Sequence, residues 1–243
     1  MSIYKDYDRW HDRVFQSGPE HRDEDSPWYR LVLEYVAPVG GKRVLEVACG
    51  RGGLTKLLAS RGAEVFGVDF SGVGLQIAQQ RMQQNEVQTG RISLAQADAQ
   101  KLPFADRSFD LVISCETIEH VLDPLASLQE MARVCRPNGV LYLTTPNWFN
   151  LMGLYRVYDA ILGRERRSEE SQPYDTVWTF SKVRRLVRLA GWNVIRTDGT
   201  VHQVPVPGRA PVTLFFLERS RALRRVLSVF ALHQFVMAKK KAS

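Results

Sequence analysis

The chain has 243 residues, of which 44% are hydrophobic and 24% charged, a composition typical of a globular protein and unlike that of collagen-like or disordered chains. Its net charge of +7 is unevenly distributed along the chain. Residues 182–243 carry 13 Lys and Arg against two acids, a net of +11, whereas residues 1–181 carry 20 against 24, a net of −4. A uniformly basic protein that coats duplex nucleic acid is therefore disfavoured. A local basic surface that binds an anion is still compatible with this charge distribution.

Three cysteines, Cys49, Cys115 and Cys135, form no Cys-x-x-Cys pair. Neither a disulfide framework nor a zinc site is indicated. The first residues lack the pattern of a signal peptide, and no stretch approaches the roughly 20 apolar residues of a membrane span. These features predict a cytoplasmic protein.

Strands and helices alternate along the chain after an N-terminal stretch, up to residue 37, that is predicted to be helical. The expected strands are 43–48, 64–68, 91–96, 109–114 and 140–145, and the expected helices are 54–60, 71–85 and 124–135. Some thirty residues rich in aromatics follow Pro146. A helix at 181–190, a strand at 192–197, a segment at 212–217, a helix from about residue 219 and a last strand near 233–238 complete the chain. Such alternation predicts an α/β fold with a parallel sheet covered on both faces.

Glycines and acids follow three successive predicted strands. Gly50 and Gly52 let the backbone turn tightly beside a ligand after the first strand. Asp69 follows the second strand, where a carboxylate can accept hydrogen bonds from both hydroxyls of a ribose. Asp98 follows the third and can accept from the amine of a purine while the Ala99 amide donates to the ring. Each residue alone could be a turn, a helix cap or a surface acid, but together they predict an adenosine-shaped site.

A dinucleotide-dependent dehydrogenase would use the same glycines and the same acid. The full Gly-x-Gly-x-x-Gly pattern is missing, however, because Thr55 occupies its third glycine position. Glu46 and Asp98 would also have no role in such an enzyme. A dehydrogenase is therefore disfavoured.

The chain resembles the class I S-adenosylmethionine-dependent methyltransferases over roughly residues 40–200, through these strand ends and the segments SFDLVIS, EHVLDP, EMARVCRPNGVLYLTTPN and LAGWNVI. The resemblance implies a Rossmann-like, seven-stranded, mostly parallel sheet and S-adenosylmethionine as cofactor. It implies Glu46 near the methionine end, Asp69 at the ribose and Asp98 at the adenine. The other cofactor-binding residues that it implies are Ala48, Gly50, Gly52, Phe70, Ala99 and Ile118. Ala48 replaces the first loop glycine usual in that family, and we expect the site to tolerate the extra methyl.

We expect one domain over residues 1–243, with four parts. The parts are an N-terminal helical cap (1–39), a cofactor-binding core (40–146), a substrate lid inserted after the fifth strand (147–180) and a C-terminal completion of the sheet (181–243).

Two carboxylates and an imidazole follow the fourth strand. Glu116, Glu119 and His120 are spaced i, i+3 and i+4, which predicts one shared helical face. His120 could act as a general base for a hydroxyl, with Glu119 orienting its ring. The trio could instead hold Mg²⁺, since Glu-x-x-Glu-His-Val resembles a motif of ubiquinone-biosynthesis O-methyltransferases in which such residues are linked to magnesium. A purely structural role for Glu119 and His120 is the third alternative.

The function predicted from these motifs is methyl transfer to a small molecule, most readily at oxygen. Transfer to nitrogen or carbon, and a non-catalytic subunit built on the same fold, are alternatives. A nucleic-acid methyltransferase using the basic C-terminal region is a further alternative, although the chain has no Asn/Asp-Pro-Pro-Tyr/Phe motif after the fourth strand. The acceptor, its methylated atom, the pathway and the oligomeric state do not follow from the sequence.

Aromatic side chains could line the acceptor pocket or simply pack over the core. Those of the insertion are Trp148, Phe149, Tyr155, Tyr158, Tyr174 and Trp178. Those near the N-terminus, which could close the other side of the cofactor, are Tyr4, Tyr7, Trp10, Trp28 and Tyr29. An aromatic or lipid-like acceptor would suit this composition.

A basic amphipathic helix is predicted near the C-terminus. Its expected apolar face consists of Leu223, Val226, Leu227 and Phe230, and its expected basic face of Arg221, Arg224 and Arg225. Such a helix could touch an anionic membrane surface at its periphery. Alternatively it lies on the sheet, and HQFVMAKKK forms a final antiparallel strand as in the family that the chain resembles.

Overall fold

A computed structural model of the chain describes residues 6, 8–10, 25–36, 38–84, 90–148, 150, 153, 176, 178–206 and 211–241. The strands are β1 (Arg43–Val47), β2 (Glu64–Asp69), β3 (Arg91–Gln96), β4 (Phe109–Cys115), β5 (Cys135–Pro146), β6 (Trp192–Thr200), β7 (Gln203–Val204), β8 (Val212–Thr213) and β9 (His233–Lys240). The helices are α1 (Pro27–Tyr35), α2 (Gly53–Ala59), α3 (Gly72–Gln84), α4 (Pro124–Val134), α5 (Phe180–Leu189), α6 (Phe215–Arg219) and α7 (Arg221–Val226), and a 3₁₀ turn covers Ser228–Phe230. No described helix is long and apolar enough to cross a membrane.

Seven strands form one sheet in the order β3-β2-β1-β4-β5-β9-β6. β1 to β5 pair in parallel, and β9 pairs antiparallel with both β5 and β6. β6 therefore runs in the same direction as β1 to β5. The predicted Rossmann-like, mostly parallel seven-stranded sheet is confirmed. A small second sheet, β7 with β8, is an addition that the sequence did not indicate.

Apolar side chains from neighbouring positions of one strand enter two different clusters, because side chains alternate between the faces of a sheet. On β1, Leu45 belongs to the cluster that includes residues of α4 and α5. Val44, next to it, belongs to the cluster that includes residues of α1 and α2. Helices thus cover both faces of the sheet, as predicted.

β5 begins earlier than the sequence indicated. The Pro137-Asn138-Gly139 run, which reads as a turn, lies inside the strand, and Asn138 takes a positive φ of 64°. The register between β4 and β5 shifts at this point, between Phe109 and Leu111. The run is therefore a bulge within the ladder rather than a break in it.

The carboxyl ends of β1, β2, β3, β4, β5 and β6 meet along one side of the sheet, which we call the carboxyl edge. Pro146 of β5 and Thr200 of β6 both pair with His233, the first residue of β9. His233 therefore lies on the carboxyl edge although its strand runs the opposite way. Any side chain placed on this edge is within reach of the loops that follow the parallel strands, where ligands of open α/β sheets bind.

Candidate active site

The loop after β1 takes three positive φ angles, at Ala48 (60°), Gly50 (49°) and Gly52 (74°). A Cβ added to Gly52 would lie 2.6 Å from the flexible end of Met82 and 3.2 Å from the Ala78 Cβ atom of α3. A Cβ added to Gly50 would meet nothing within 4 Å. Glycine at 52 is therefore favoured by its positive φ and by the nearness of α3, whereas Gly50 borders open space at the carboxyl edge.

Asp69 organises this loop from the end of β2. The Gly50 amide donates to Asp69 Oδ2 and the Ser71 amide to Oδ1, both at 2.8 Å. Each carboxylate oxygen can still accept a further hydrogen bond. Burial raises the pKa of Asp69 to about 6, against the lowering effect of the hydrogen bonds from Ser71 and Gly50.

Ser71 connects the same carboxylate to the N-terminal segment. Its hydroxyl accepts a hydrogen bond from the Gly74 amide at 3.1 Å and so caps the N-terminus of α3. The same hydroxyl donates to Asp8 Oδ1 at 2.8 Å. An N-terminal residue thus contacts the loop beside Asp69, although Tyr4 and Tyr7 lie outside the described residues.

Glu46 is a buried carboxyl within β1, with 1% of its surface exposed. The Thr55 hydroxyl donates to its Oε2 atom. Burial raises the pKa of Glu46 to about 8, with the Thr55 hydrogen bond acting against the rise and Asp69 adding to it. A carboxyl in this state favours a cationic partner, which would stabilise its charged form. Thr55 stands at the position of the absent third glycine, and no role for its hydroxyl was predicted.

The predicted adenine contacts lie at the end of β3. Asp98 Oδ1 accepts from the Gln100 backbone amide at 2.8 Å and from Gln100 Nε2 at 3.1 Å. Ala99 is half-buried against the larger apolar cluster, and Ile118 is fully buried within it. The Phe70 carbonyl accepts a hydrogen bond from the Gln96 side chain at 2.8 Å. All four therefore lie on loops of the carboxyl edge, after β2, β3 and β4.

The predicted trio after β4 does not share one face. Residues 116–120 form a bend and a turn rather than a helix, and Glu116 takes a positive φ of 50°. Its carboxylate Oε2 lies 2.8 Å from Nδ1 of His233. Glu119 instead accepts from the Thr145 hydroxyl at 2.8 Å and lies 3.6 Å from Nε2 of His120. The expectation of Glu116, Glu119 and His120 on one helical face is wrong.

The predicted magnesium site required Glu116, Glu119 and His120 on one face, and the structure does not place them so. Within the described ranges, no group of three or more His, Cys, Asp and Glu side chains could hold a metal ion. The hydrogen bond to His233 draws Glu116 away from the other two residues.

His233 is a site residue that the sequence analysis missed, because Glu116 and His233 are 117 positions apart. Burial acts to lower the pKa of His233, but the neighbouring Glu116 carboxylate outweighs it and the pKa is raised. The Trp28 ring lies 4.8 Å from the imidazole, centroid to centroid. Trp28, one of the predicted N-terminal aromatics, therefore packs on the carboxyl edge beside the first residue of β9.

Most of the predicted aromatic insertion falls outside the described residues, including Phe149, Tyr155, Tyr158 and Tyr174. Trp178 is buried and belongs to the larger core cluster. The Thr176 amide donates to the Glu119 carbonyl at 2.8 Å. The end of the insertion is thus attached to the turn that carries Glu119 and His120.

A buried ionic cluster lies at the β6 end of the carboxyl edge. Arg224 Nη2 lies 3.1 Å from Asp198 Oδ2 and 2.8 Å from Glu34 Oε2, and Asp198 also accepts from the Tyr35 hydroxyl. Arg224 was predicted on one basic face with Arg221 and Arg225, but it is buried while they are exposed, because its two acidic partners draw the guanidinium inward.

A cavity of about 450 Å³ lies beside the ionic cluster, lined by Glu34, Thr200, Phe215 and Arg224 among others. Glu218, which also lines it, accepts hydrogen bonds from Thr200 and from the His202 amide. The cavity therefore opens at the β6 end of the edge, beyond the loops around Asp69.

The sheet is Rossmann-like, with a glycine turn after its first strand and acids after its second and third. This arrangement is typical of proteins that bind a nucleoside-type ligand at the carboxyl ends of the strands. Residues 45–143 match the family described as a methyltransferase domain. A demethylmenaquinone methyltransferase of Mycobacterium sp. (strain KMS) is 33% identical over 186 residues, which cover 71% of this chain and 77% of that protein. The chain belongs to the class I S-adenosylmethionine-dependent methyltransferases.

Other relatives match over less of their length. A ubiquinone biosynthesis O-methyltransferase of Pseudomonas putida (strain GB-1) is 35% identical over 140 residues, 57% of this chain and 58% of that protein. The chain covers 45% to 61% of the length of several such relatives. The fold is similar to the crystal structure of a SAM-dependent methyltransferase from Thermotoga maritima, described as a possible histamine N-methyltransferase, with a TM-score of 0.71, 17% identity and coverage of 98% and 100% of the two chains.

Proposed function

We propose that the chain binds S-adenosylmethionine at the β1 to β3 end of the carboxyl edge and transfers its methyl group to a hydroxyl of a small acceptor. The cofactor would supply the electrophilic methyl on its sulfonium. Asp69 would accept from the ribose hydroxyls, and Asp98 with the Ala99 amide would bind the adenine. The observation that carries the cofactor assignment is Asp69, which holds the Gly50 and Ser71 amides while each of its oxygens can accept once more.

Glu46 would bind the cationic methionine end of the cofactor. Its burial and raised pKa fit a group that ionises fully only when a positive charge arrives. Ala48, Gly50 and Gly52 would keep the loop close to the cofactor, and Phe70 and Ile118 would flank the adenine.

His120 is the base that we propose for the acceptor hydroxyl. The Thr145 hydroxyl fixes Glu119 at 2.8 Å, and Glu119 in turn lies 3.6 Å from the imidazole. A carboxylate at this distance would stabilise the imidazolium that forms when the ring takes a proton from a hydroxyl as the methyl is transferred. The protein would otherwise act by aligning the acceptor with the methyl and by excluding water.

The acceptor class is proposed from the names of the relatives, which are a demethylmenaquinone methyltransferase and a ubiquinone biosynthesis O-methyltransferase. Both names point to a quinone-type acceptor, aromatic and lipid-like. The insertion at 147–180, attached to Glu119 through Thr176, would serve as its lid. The free and buried Cys49, Cys115 and Cys135 are in keeping with a reducing cytoplasm.

Replacing His120 tests the proposed base. In His120→Gln, we expect turnover to fall about 100-fold or more, the usual contribution of a general base, while cofactor affinity stays unchanged. S-adenosylhomocysteine production with a demethylated quinol measures turnover, and calorimetry measures cofactor affinity. Leu122→Ala, at an exposed position two residues away, is the matched control. Wild-type turnover in His120→Gln would remove His120 from the chemistry, and the NMR chemical shift of the transferred methyl group would separate O- from C-methylation.

A further inference from the structure

Large apolar side chains are concentrated on the surface of one short segment. Of the eleven that are exposed in the described part of the chain, seven lie between residues 212 and 230. Phe215 and Phe216 are 69% and 61% exposed, and Val226 is 76% exposed. Monomeric proteins seldom leave such a contiguous apolar surface without a use. We call this segment, with α6, α7 and the 3₁₀ turn, the 212–230 surface.

The ionic cluster explains why these side chains face outward. Arg224 is buried against Asp198 and Glu34, and it is the residue of α7 that faces the sheet. Leu223 and Val226, which lie on either side of it in the sequence, are left exposed. α7 therefore packs on the sheet through Arg224, and its apolar side chains Leu223 and Val226 are left in solvent.

Basic side chains lie among the exposed apolar ones. Residues 212–230 contain four arginines and a single acid, Glu218, and Arg219, Arg221 and Arg225 are exposed. Glu218 is turned inward, with its carboxylate bonded to Thr200 and His202. Arg221 pairs with Glu34, whose other oxygen contacts Arg224. The outward charge of this surface is therefore positive.

From this combination we infer that the 212–230 surface docks on a membrane that contains anionic phospholipids. Phe215, Phe216 and Val226 would enter the boundary between headgroups and acyl chains, and the exposed arginines would meet the phosphates. A second copy of the chain is a poorer occupant, because two such surfaces would bring arginines of like charge together.

The surface reaches the cavity at the β6 end of the carboxyl edge. Phe215 belongs to the 212–230 surface and also lines the cavity beside Thr200 at the carboxyl edge. A lipid-like acceptor leaving the membrane would meet this cavity first. That link rests on the proposed function, whereas membrane docking itself does not depend on methyl transfer.

Vesicle cosedimentation tests the docking with the full chain and without cofactor. The probes are vesicles of equal parts phosphatidylglycerol and phosphatidylcholine, compared with vesicles of phosphatidylcholine alone. Wild-type protein should sediment with the first and much less with the second. The double variant Phe215→Ser/Phe216→Ser should lose about 10-fold or more in partitioning, given the apolar area withdrawn from water by two phenylalanines. Val226→Ser should show a smaller loss in the same direction.

Leu189→Ser is the matched control, because Leu189 is 61% exposed on α5 and lies outside the 212–230 surface. Thermal unfolding confirms that each variant is folded. Docking is overturned if wild-type protein ignores the anionic vesicles, if it binds both vesicle types equally, or if Leu189→Ser loses as much as the double variant. It is also overturned if light scattering shows a wild-type dimer that the double variant disrupts. Methyl transfer to a soluble acceptor is assayed separately, so either proposal can fail alone.

Discussion

The two ends of the carboxyl edge are held by different kinds of contact. At the β2 end, Asp69 bonds to the amides of Gly50 and Ser71, which are 19 and two positions away. At the β6 end, Arg224 bonds to Asp198 and to Glu34, which are 26 and 190 positions away. Backbone amides build the proposed cofactor end, and charged side chains build the other. Substitutions at the β2 end should therefore change ligand affinity. Substitutions at the β6 end should change the free energy of unfolding.

The strongest test of this contrast is Arg224→Leu. Asp198 is fully buried, and removing the guanidinium leaves its charge without compensation. We expect a loss of about 3–5 kcal/mol in the free energy of unfolding, measured by urea denaturation. The double variant Arg224→Leu/Asp198→Leu should recover much of that loss, because the uncompensated charge goes with its partner. A single variant as stable as the wild type would show that the cluster does not support the fold.

Asp69→Asn should act on ligand affinity instead. The amide keeps one acceptor oxygen and loses the charge, so we expect cofactor affinity to fall about 100-fold, equivalent to about 2.7 kcal/mol. Calorimetry with S-adenosylmethionine measures the change. Asp106→Asn, at an exposed position, should bind as the wild type does. A wild-type affinity in Asp69→Asn would refute the proposed ribose contact.

The pH dependence of cofactor affinity gives a finer test of the same end. With a pKa of about 8 for Glu46 and about 6 for Asp69, the ligand-free protein holds protons that a bound cation would expel. Affinity should therefore rise about tenfold as the pH rises from 6 to 8. Calorimetry in buffers of different ionisation enthalpy should detect proton release on binding.

The variant Glu46→Gln separates the effect of Glu46 on the pH dependence from the effect of Asp69. In the unfolded chain a Glu carboxyl ionises near pH 4.3, well below the folded value of about 8. The folded state therefore retains more protons between these values, and stability should fall as the pH rises through that window. Glu46→Gln should flatten this fall in thermal unfolding. An unchanged slope would contradict the raised pKa.

The smallest expected effect is at Ala48, where φ is 60°. An L-residue with a side chain is strained in this region, whereas glycine is not. Ala48→Gly should stabilise the protein by about 0.5–1 kcal/mol, after allowing for the greater entropy of glycine in the unfolded chain. Ala126→Gly, in the first turn of α4, should destabilise it by about 1 kcal/mol. Destabilisation by Ala48→Gly would mean that the alanine methyl is needed for packing.

The sequence allowed the sheet and the loops around Asp69 to be predicted, because strands, glycines and acids there are neighbours in the chain. Thr55 was not recognised as the partner of Glu46, since its hydroxyl reaches a strand residue nine positions earlier. Periodicity alone therefore cannot assign such a contact.

The side chains after β4 were predicted less well, for a physical reason. Helical spacing put Glu116 beside His120, but a positive φ at Glu116 and a distant imidazole at His233 turn it away. In the same way, the spacing of α7 grouped Arg224 with Arg221 and Arg225, yet Arg224 is buried while the other two are exposed. Glu34 and Asp198 draw Arg224 inward, and neither is a neighbour of α7 in sequence.

The position of β9 bears on the order in which the molecule is assembled during synthesis. β9 is the last described strand to be made, yet it lies between β5 and β6 in the sheet. Until it is translated, β6 has no neighbour to join, while β1 to β5 can already pair. The loop around Asp69 can therefore form on the ribosome well before the strand that carries His233. The part of the carboxyl edge around His233 is completed last, when the final strand enters the gap between β5 and β6.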